Sequence, residues 1–125
     1  MKTPNMYVWS AALRSGHFSQ GKGQLAREEH GTVRYCCLGV GCVKADIEPH
    51  KNGTTIYFNH HDSMPPVAFR EWLGLPADEN RAVVVLLDVP SSGVGWPHTQ
   101  FDVLNDNHGL SFPQIADLID YFGVV

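Results

Sequence analysis

"RYCCLGVGC", residues 34–42, carries all three cysteines of the chain within seven positions and places two glycines among them. Leu38 and Cys42 are four apart, the spacing of one helix face. Gly39 and Gly41 each lower helix propensity by about 1 kcal/mol relative to alanine. Glycines persist inside a helix mainly where another backbone packs close. The stretch continuing to Asp46 therefore predicts a short, buried, tightly packed helix, and its surroundings must supply elements that close on it.

The thiols admit three readings. A structural zinc site needs four ligands and usually spaces its cysteines by two to four residues. Cys37 and Cys42 have four residues between them, no second cysteine pair exists, and His60, His61 and His98 would have to complete the set. A nucleophile is the second reading. A cysteine near a helix N-terminus has a lowered pKa, and Cys36 or Cys37 with His98 and the Asn105-Asp106 pair has the order of a cysteine hydrolase set. The third reading, small buried side chains in a glycine-lined helix contact, accounts best for the glycines.

The 125 residues suit one domain, and 43% hydrophobic with 18% charged residues is ordinary for a globular protein. A formal charge of −4 argues against a general nucleic-acid binder. An odd, clustered cysteine set is not a secreted disulfide framework, and a Cys36–Cys37 disulfide would be a strained ring. The first residues are too polar for a signal peptide. No stretch approaches the roughly 20 apolar residues of a membrane span. A cytoplasmic location is the expectation.

Outward from the cysteines, Pro4-Asn5 opens a helix with Asn5 as its cap. Met6, Trp9, Ala12 and Leu13 fall near one face, and Gly16 stops it. "QLARE" and "TVRY" flank "EHG" as a short hairpin. "PHKNG" reads as a turn and "TTIYFN" as a strand. Pro65-Pro66 start a helix, "PPVAFREWLGL", in which Val67, Phe69, Trp72 and Leu73 are apolar, and Gly74 ends it. Residues 82–89, "AVVVLLDV", read as a buried strand and 90–97 as a loop. A short helix precedes Gly109. Ser111 and Gln114 form a capping box, and Ile115, Leu118, Ile119 and Phe122 follow helical spacing. The expected fold is α+β, a single compact domain over residues 1–125 with about four short helices around a small sheet.

Two polar segments stand out. "RSGHFSQGKG", 14–23, is the only basic, glycine-rich loop of an acidic chain. Backbone N–H groups at Gly21 and Gly23 could face an anion, with Arg14 and Lys22 adding charge and Gln20 a polar contact. It lacks the spacing of a P-loop. "LNDNHG", 104–109, has turn composition, yet Asn105 and Asp106 could also read a ligand's donors and acceptors. Trp96, in "GVGWPH", is the loop-borne candidate for stacking. His30, His50, His60, His61 and His108 sit in turn-like contexts.

Trp9, "ALRSG" at 12–16, "QGKG" at 20–23, Leu25, "YCCLGV" at 35–40, Cys42, "WLGL" at 72–75, "LNDN" at 104–107 and "SFPQIADLIDYF" at 111–122 together resemble an uncharacterised family of small phage, prophage and bacterial proteins. The resemblance covers most of the chain apart from 43–64 and 77–100. It implies a phage setting and brings no activity. Gly41 stands where that family more often has a large apolar residue, and no family histidine matches His98. The resulting expectation is a small soluble binding protein with no metal or cofactor. Its ligand would be a compact anion, such as a nucleotide-derived signal of host defence, bound by Arg14, Gln20, Gly21, Lys22, Gly23, Trp96, Asn105 and Asp106, within one chain or between subunits of a homo-oligomer. The alternatives are a cysteine-dependent hydrolase using Cys37 or Cys36 with His98, and an inhibitor that binds a host protein.

Overall fold

The computed structural model describes residues 3–75, 101–106 and 109–123. The strand expected at 82–89, the loop at 90–97, Trp96 and His98 lie outside the described residues. The cysteine stretch forms α2 (Cys37–Lys44), entered from the strand β3 (Thr32–Tyr35). Cys36 is its N-cap, in extended conformation, and Asp46 follows the helix with φ 61.

Gly39 and Gly41 are the reason α2 can sit where it does. A β-carbon on Gly39 would lie 1.8 Å from the Leu25 carbonyl oxygen. One on Gly41 would meet the Phe69 ring at 2.4 Å and Trp9 Nε1 at 3.1 Å. The helix thus presses its backbone on one side against the entry to β2 (Ala26–Glu29) and on the other against two aromatic rings. Cys36 N donates to Leu25 O (3.1 Å), which locks the first of these contacts.

Trp9 is the hub of the helical layer and is fully buried. It lies on α1 (Pro4–Arg14) and donates its indole N–H to Cys37 O at 2.9 Å. Its ring meets Phe69 edge-on at 5.2 Å, and Phe101 at 5.0 Å and 59°. Phe69 belongs to α3 (Val67–Trp72) and Phe101 to α4 (Phe101–Asp106). Such aromatic contacts add about 0.5–1.5 kcal/mol beyond the area they bury. The helix α5 (Phe112–Phe122) packs along α1, burying Ile115, Ala116 and Ile119. Ser111 caps it as the sequence predicts: its hydroxyl accepts from Gln114 N (3.4 Å) while Gln114 Oε1 accepts from Ser111 N (2.9 Å).

A five-stranded sheet runs in the order β1-β3-β2-β5-β4, with β1 (Ser19–Gln20), β4 (Pro49–Asn52) and β5 (Thr55–Phe58) completing the set. β1 is parallel to β3, and the remaining neighbours are antiparallel. The predicted hairpin is β2–β3, turned by His30 and Gly31, both with positive φ. Ala26, Tyr35, Ile56 and Phe58 share the inner face, whereas Ser19, Arg34, Arg27 and Asn52 are exposed on the outer one.

Two local expectations are corrected. The first helix begins at Pro4 with Thr3 as N-cap, not Asn5. Proline is suited to the first helical position, where its missing N–H costs nothing. Asn5 Nδ2 instead donates to Trp72 O (2.6 Å), tying α1 to α3. The "PHKN" segment is a strand, not a turn. All four of its residues are exposed at the sheet edge, so it shows no period-two signal. The α+β class stands, with five helices among the described residues.

Candidate functional site

The thiols are buried on α2 and at its N-cap, and none forms a disulfide. Cys37 Sγ donates to Phe101 O (3.4 Å). Burial, with the neighbouring Cys36, pushes the Cys42 thiol well above the usual range. A nucleophilic cysteine needs thiolate character and access, and these side chains are placed for packing. Among the described residues, no group of three His, Cys, Asp or Glu side chains could hold a metal ion. His17, His30, His50, His60 and His61 are each exposed.

The two polar segments singled out by the sequence do meet, at Asn105. Its side chain is fully buried on α4. Oδ1 accepts from Gln20 Nε2 (2.9 Å) and from Cys37 N (3.2 Å). Nδ2 donates to Gly21 O (2.8 Å) and to Asp106 Oδ1 (2.8 Å). Two donor hydrogens and two lone pairs are the whole capacity of a carboxamide. Asn105 has spent all of it inside the protein. One of its bonds caps the N-terminus of α2, where helices leave N–H groups without partners. Gln20 Nε2 also donates to Leu110 O (2.7 Å).

This network fixes the start of the Gly21–Gly23 loop. Gly21 is held from both sides, its carbonyl by Asn105 and its N–H by Tyr35 O (2.7 Å). Lys22 and Gly23 follow immediately and are exposed. Gly23 has φ +84, a conformation side chains rarely take. Of the residues expected to bind a ligand, Gln20, Gly21, Asn105 and Asp106 thus form a self-satisfied clasp, and Lys22 and Gly23 project from it.

Arg14 is elsewhere. Its guanidinium donates to Asp120 Oδ2 (2.5 Å) and Asp117 Oδ1 (2.6 Å), bridging α1 to α5. Those two hydrogen bonds raise its pKa further, so its charge is permanent and already answered. Ser10 Oγ donates to the same Asp120 at 2.7 Å.

The sequence reading missed two cations beside the loop. Gly21 packs against Arg34: a β-carbon there would be 2.8 Å from Arg34 Cβ. Arg34 lies directly across the hairpin from Arg27. Both are equidistant from the His30-Gly31 turn, so a two-residue turn would have placed them opposite each other. Glu29 sits near both, 3.4 Å from Arg34 Nε and 3.8 Å from Arg27 Nε. Lys51 and Glu28 pair separately on the inner side of the sheet edge.

No helix among the described residues is long and apolar enough to cross a membrane. No curated protein and no solved structure matches the chain. One family model does, over residues 1–122, nearly the whole length. On that match, the chain belongs to the family described as a domain of unknown function, DUF8296.

Proposed function

We propose that this chain is a small phage-type binding protein that takes up a compact anionic ligand, such as a nucleotide or nucleotide-derived signal of host defence, in the host cytoplasm. The observation that carries the reading is the clasp: Asn105 and Tyr35 hold Gly21 between them, so Lys22 is presented from a fixed point. A preorganised cation loses less conformational freedom on binding than one on a loose loop. The resemblance of the "QGKG" and "LNDN" segments to phage and prophage proteins supports the setting. In this reading Asn105 and Gln20 position the loop, Lys22 contacts charge, and Gly23 permits close approach of the backbone. Arg14 is not part of the site, because its guanidinium is committed to Asp117 and Asp120.

The test is a nucleotide panel, screened by thermal shift and followed by calorimetry. At least one member binds, and Lys22→Ala weakens it by about tenfold, the value of one charge-assisted hydrogen bond. Absence of binding by every member refutes the reading.

A second reading, an inhibitor that binds a host protein, is favoured by the exposed aromatic and aliphatic side chains of the packed α1 and α5 pair. Tyr121 is 77% exposed, Tyr7 50% and Val8 43%. Aromatic side chains are enriched at protein interfaces. Pull-down of one host protein that is lost in Tyr121→Ser, with nucleotide binding absent, would select this reading.

A further inference from the structure

We infer that Arg34 and Arg27, side by side on the outer face of the sheet, are the pair that grips the phosphate group of the ligand. This rests on the anionic-ligand reading and adds to it the residues that carry recognition. The two arginines are register partners on adjacent antiparallel strands. Like charges directly opposite one another are unfavourable in a sheet. The row they occupy runs Ser19, Arg34, Arg27, Thr55 and Asn52 across all five strands, with two positive charges and no carboxylate.

Glu29 answers them incompletely. It stands one row away, and one carboxylate serves two guanidinium groups. Its separations of 3.4 and 3.8 Å exceed an ordinary charge-assisted hydrogen bond. Both contacts are made through Nε, and a guanidinium carries five N–H donors, so each arginine keeps donor capacity for a further partner. A guanidinium whose fork faces water is shaped for two-point contact with a phosphate. Arg34 and Arg27 are about half-exposed, at 46% and 52%, so an incoming anion reaches them without rearrangement of the sheet.

The location matches the proposed loop. Gly21 lies against Arg34 Cβ, so Lys22 leaves the clasp at the same end of the row. The hydroxyls of Ser19 and Thr55 flank the pair as register partners of Arg34 and Arg27. The arrangement offers three cations, one competing carboxylate and two hydroxyl groups to a phosphate-bearing molecule.

The probe is inorganic pyrophosphate, titrated into isotopically labelled full-length protein while the arginine Nε–Hε resonances are followed. Arg27→Gln and Arg34→Gln assign the two signals, and the amide spectra of these variants report that the fold is retained. The Arg34 and Arg27 signals shift together and saturate, whereas Arg14 stays still. Arg34→Gln weakens binding by about tenfold or more. Glu29→Gln strengthens it, because the competing carboxylate is gone. Unmoved arginine signals, or weaker binding in Glu29→Gln, overturn the inference. If nucleotides bind with undiminished affinity in Arg34→Gln, the ligand reading stands and this site falls. If pyrophosphate binds here while no nucleotide does, the site stands and the nucleotide reading falls. Binding of an oligoribonucleotide alone, with pyrophosphate inert, also overturns it.

Discussion

Gly39→Ala tests the packing argument most directly, because two principles predict opposite signs for it. Helix propensity alone favours alanine over glycine by about 1 kcal/mol within a helix. The structure places the added β-carbon 1.8 Å from Leu25 O, 2.7 Å from Leu25 C and 3.3 Å from Leu25 Cα. All three are backbone atoms, so no rotamer change relieves the clash. Leu25 is itself tethered, its N–H by Asp62 O (2.6 Å) and its carbonyl by Cys36 N (3.1 Å). The helix α2 must therefore retreat by about 1.6 Å to restore ordinary contact.

That retreat strains three hydrogen bonds at the N-terminus of α2: Cys36 N to Leu25 O, Cys37 N to Asn105 Oδ1, and Trp9 Nε1 to Cys37 O. At about 1 kcal/mol net for each, and about 1–3 kcal/mol for overpacking, the propensity gain is outweighed. A net destabilisation of about 4 kcal/mol results, a large share of the roughly 5–15 kcal/mol typical of a domain. Equilibrium urea unfolding, with the slope held common between variants, measures it. Gly41→Ala is the internal comparison. Its β-carbon meets the side chains of Phe69 and Trp9, which can adjust, so its cost is smaller, about 1–3 kcal/mol. A Gly39→Ala protein as stable as wild type, or more so, would refute the close-contact account of the cysteine helix.

Asn105→Ala removes a buried hub and leaves Gly21 O, Cys37 N and one Gln20 donor bond without their partner; urea unfolding should show a loss of about 3 kcal/mol or more, with faster amide exchange through residues 21–23. Cys42 keeps a raised pKa when folded and regains its ordinary value when unfolded, so its contribution is complete below about pH 8.5 and is lost as pH rises above that, at up to about 1.4 kcal/mol per pH unit. Unfolding curves between pH 8 and 10.5 check this, and Cys42→Ala flattens the decline; burial of Tyr35 acts in the same direction from about pH 10. The same burial keeps the three cysteines inert to iodoacetamide at pH 7.5 until urea unfolds the chain, as peptide mapping would show. Arg14→Ala costs less than about 1 kcal/mol by urea unfolding, since its two ion pairs are substantially exposed, and it leaves any ligand affinity unchanged.

Much of the local structure is legible along the chain because its causes are local. The capping box at Ser111 and Gln114 starts α5 by bonds spanning three residues. The β2–β3 hairpin follows from two β-rich runs around His30-Gly31. The glycines of "CLGVGC" announce a close helix contact, although not which atoms they meet. Reading fails where a segment's state is imposed from outside. The "PHKN" strand has no buried face and exists because β5 pairs with it. Asn105 has the composition of a turn, and its partners Gln20, Gly21 and Cys37 are 85, 84 and 68 positions away. The acids that hold Arg14 are 103 and 106 positions away.

From residue order alone came the class of fold, the helix at the cysteines and the identity of the polar segments, because propensity, periodicity and capping act within a turn or two of chain. Tertiary contacts assigned their roles. They buried the thiols, consumed the hydrogen-bonding capacity of Asn105, answered the charge of Arg14 with two carboxylates, and set Arg34 beside Arg27 with the single carboxylate of Glu29 near both. A side chain is available to a ligand only to the extent that its neighbours have not already satisfied it, and those neighbours are brought by the fold.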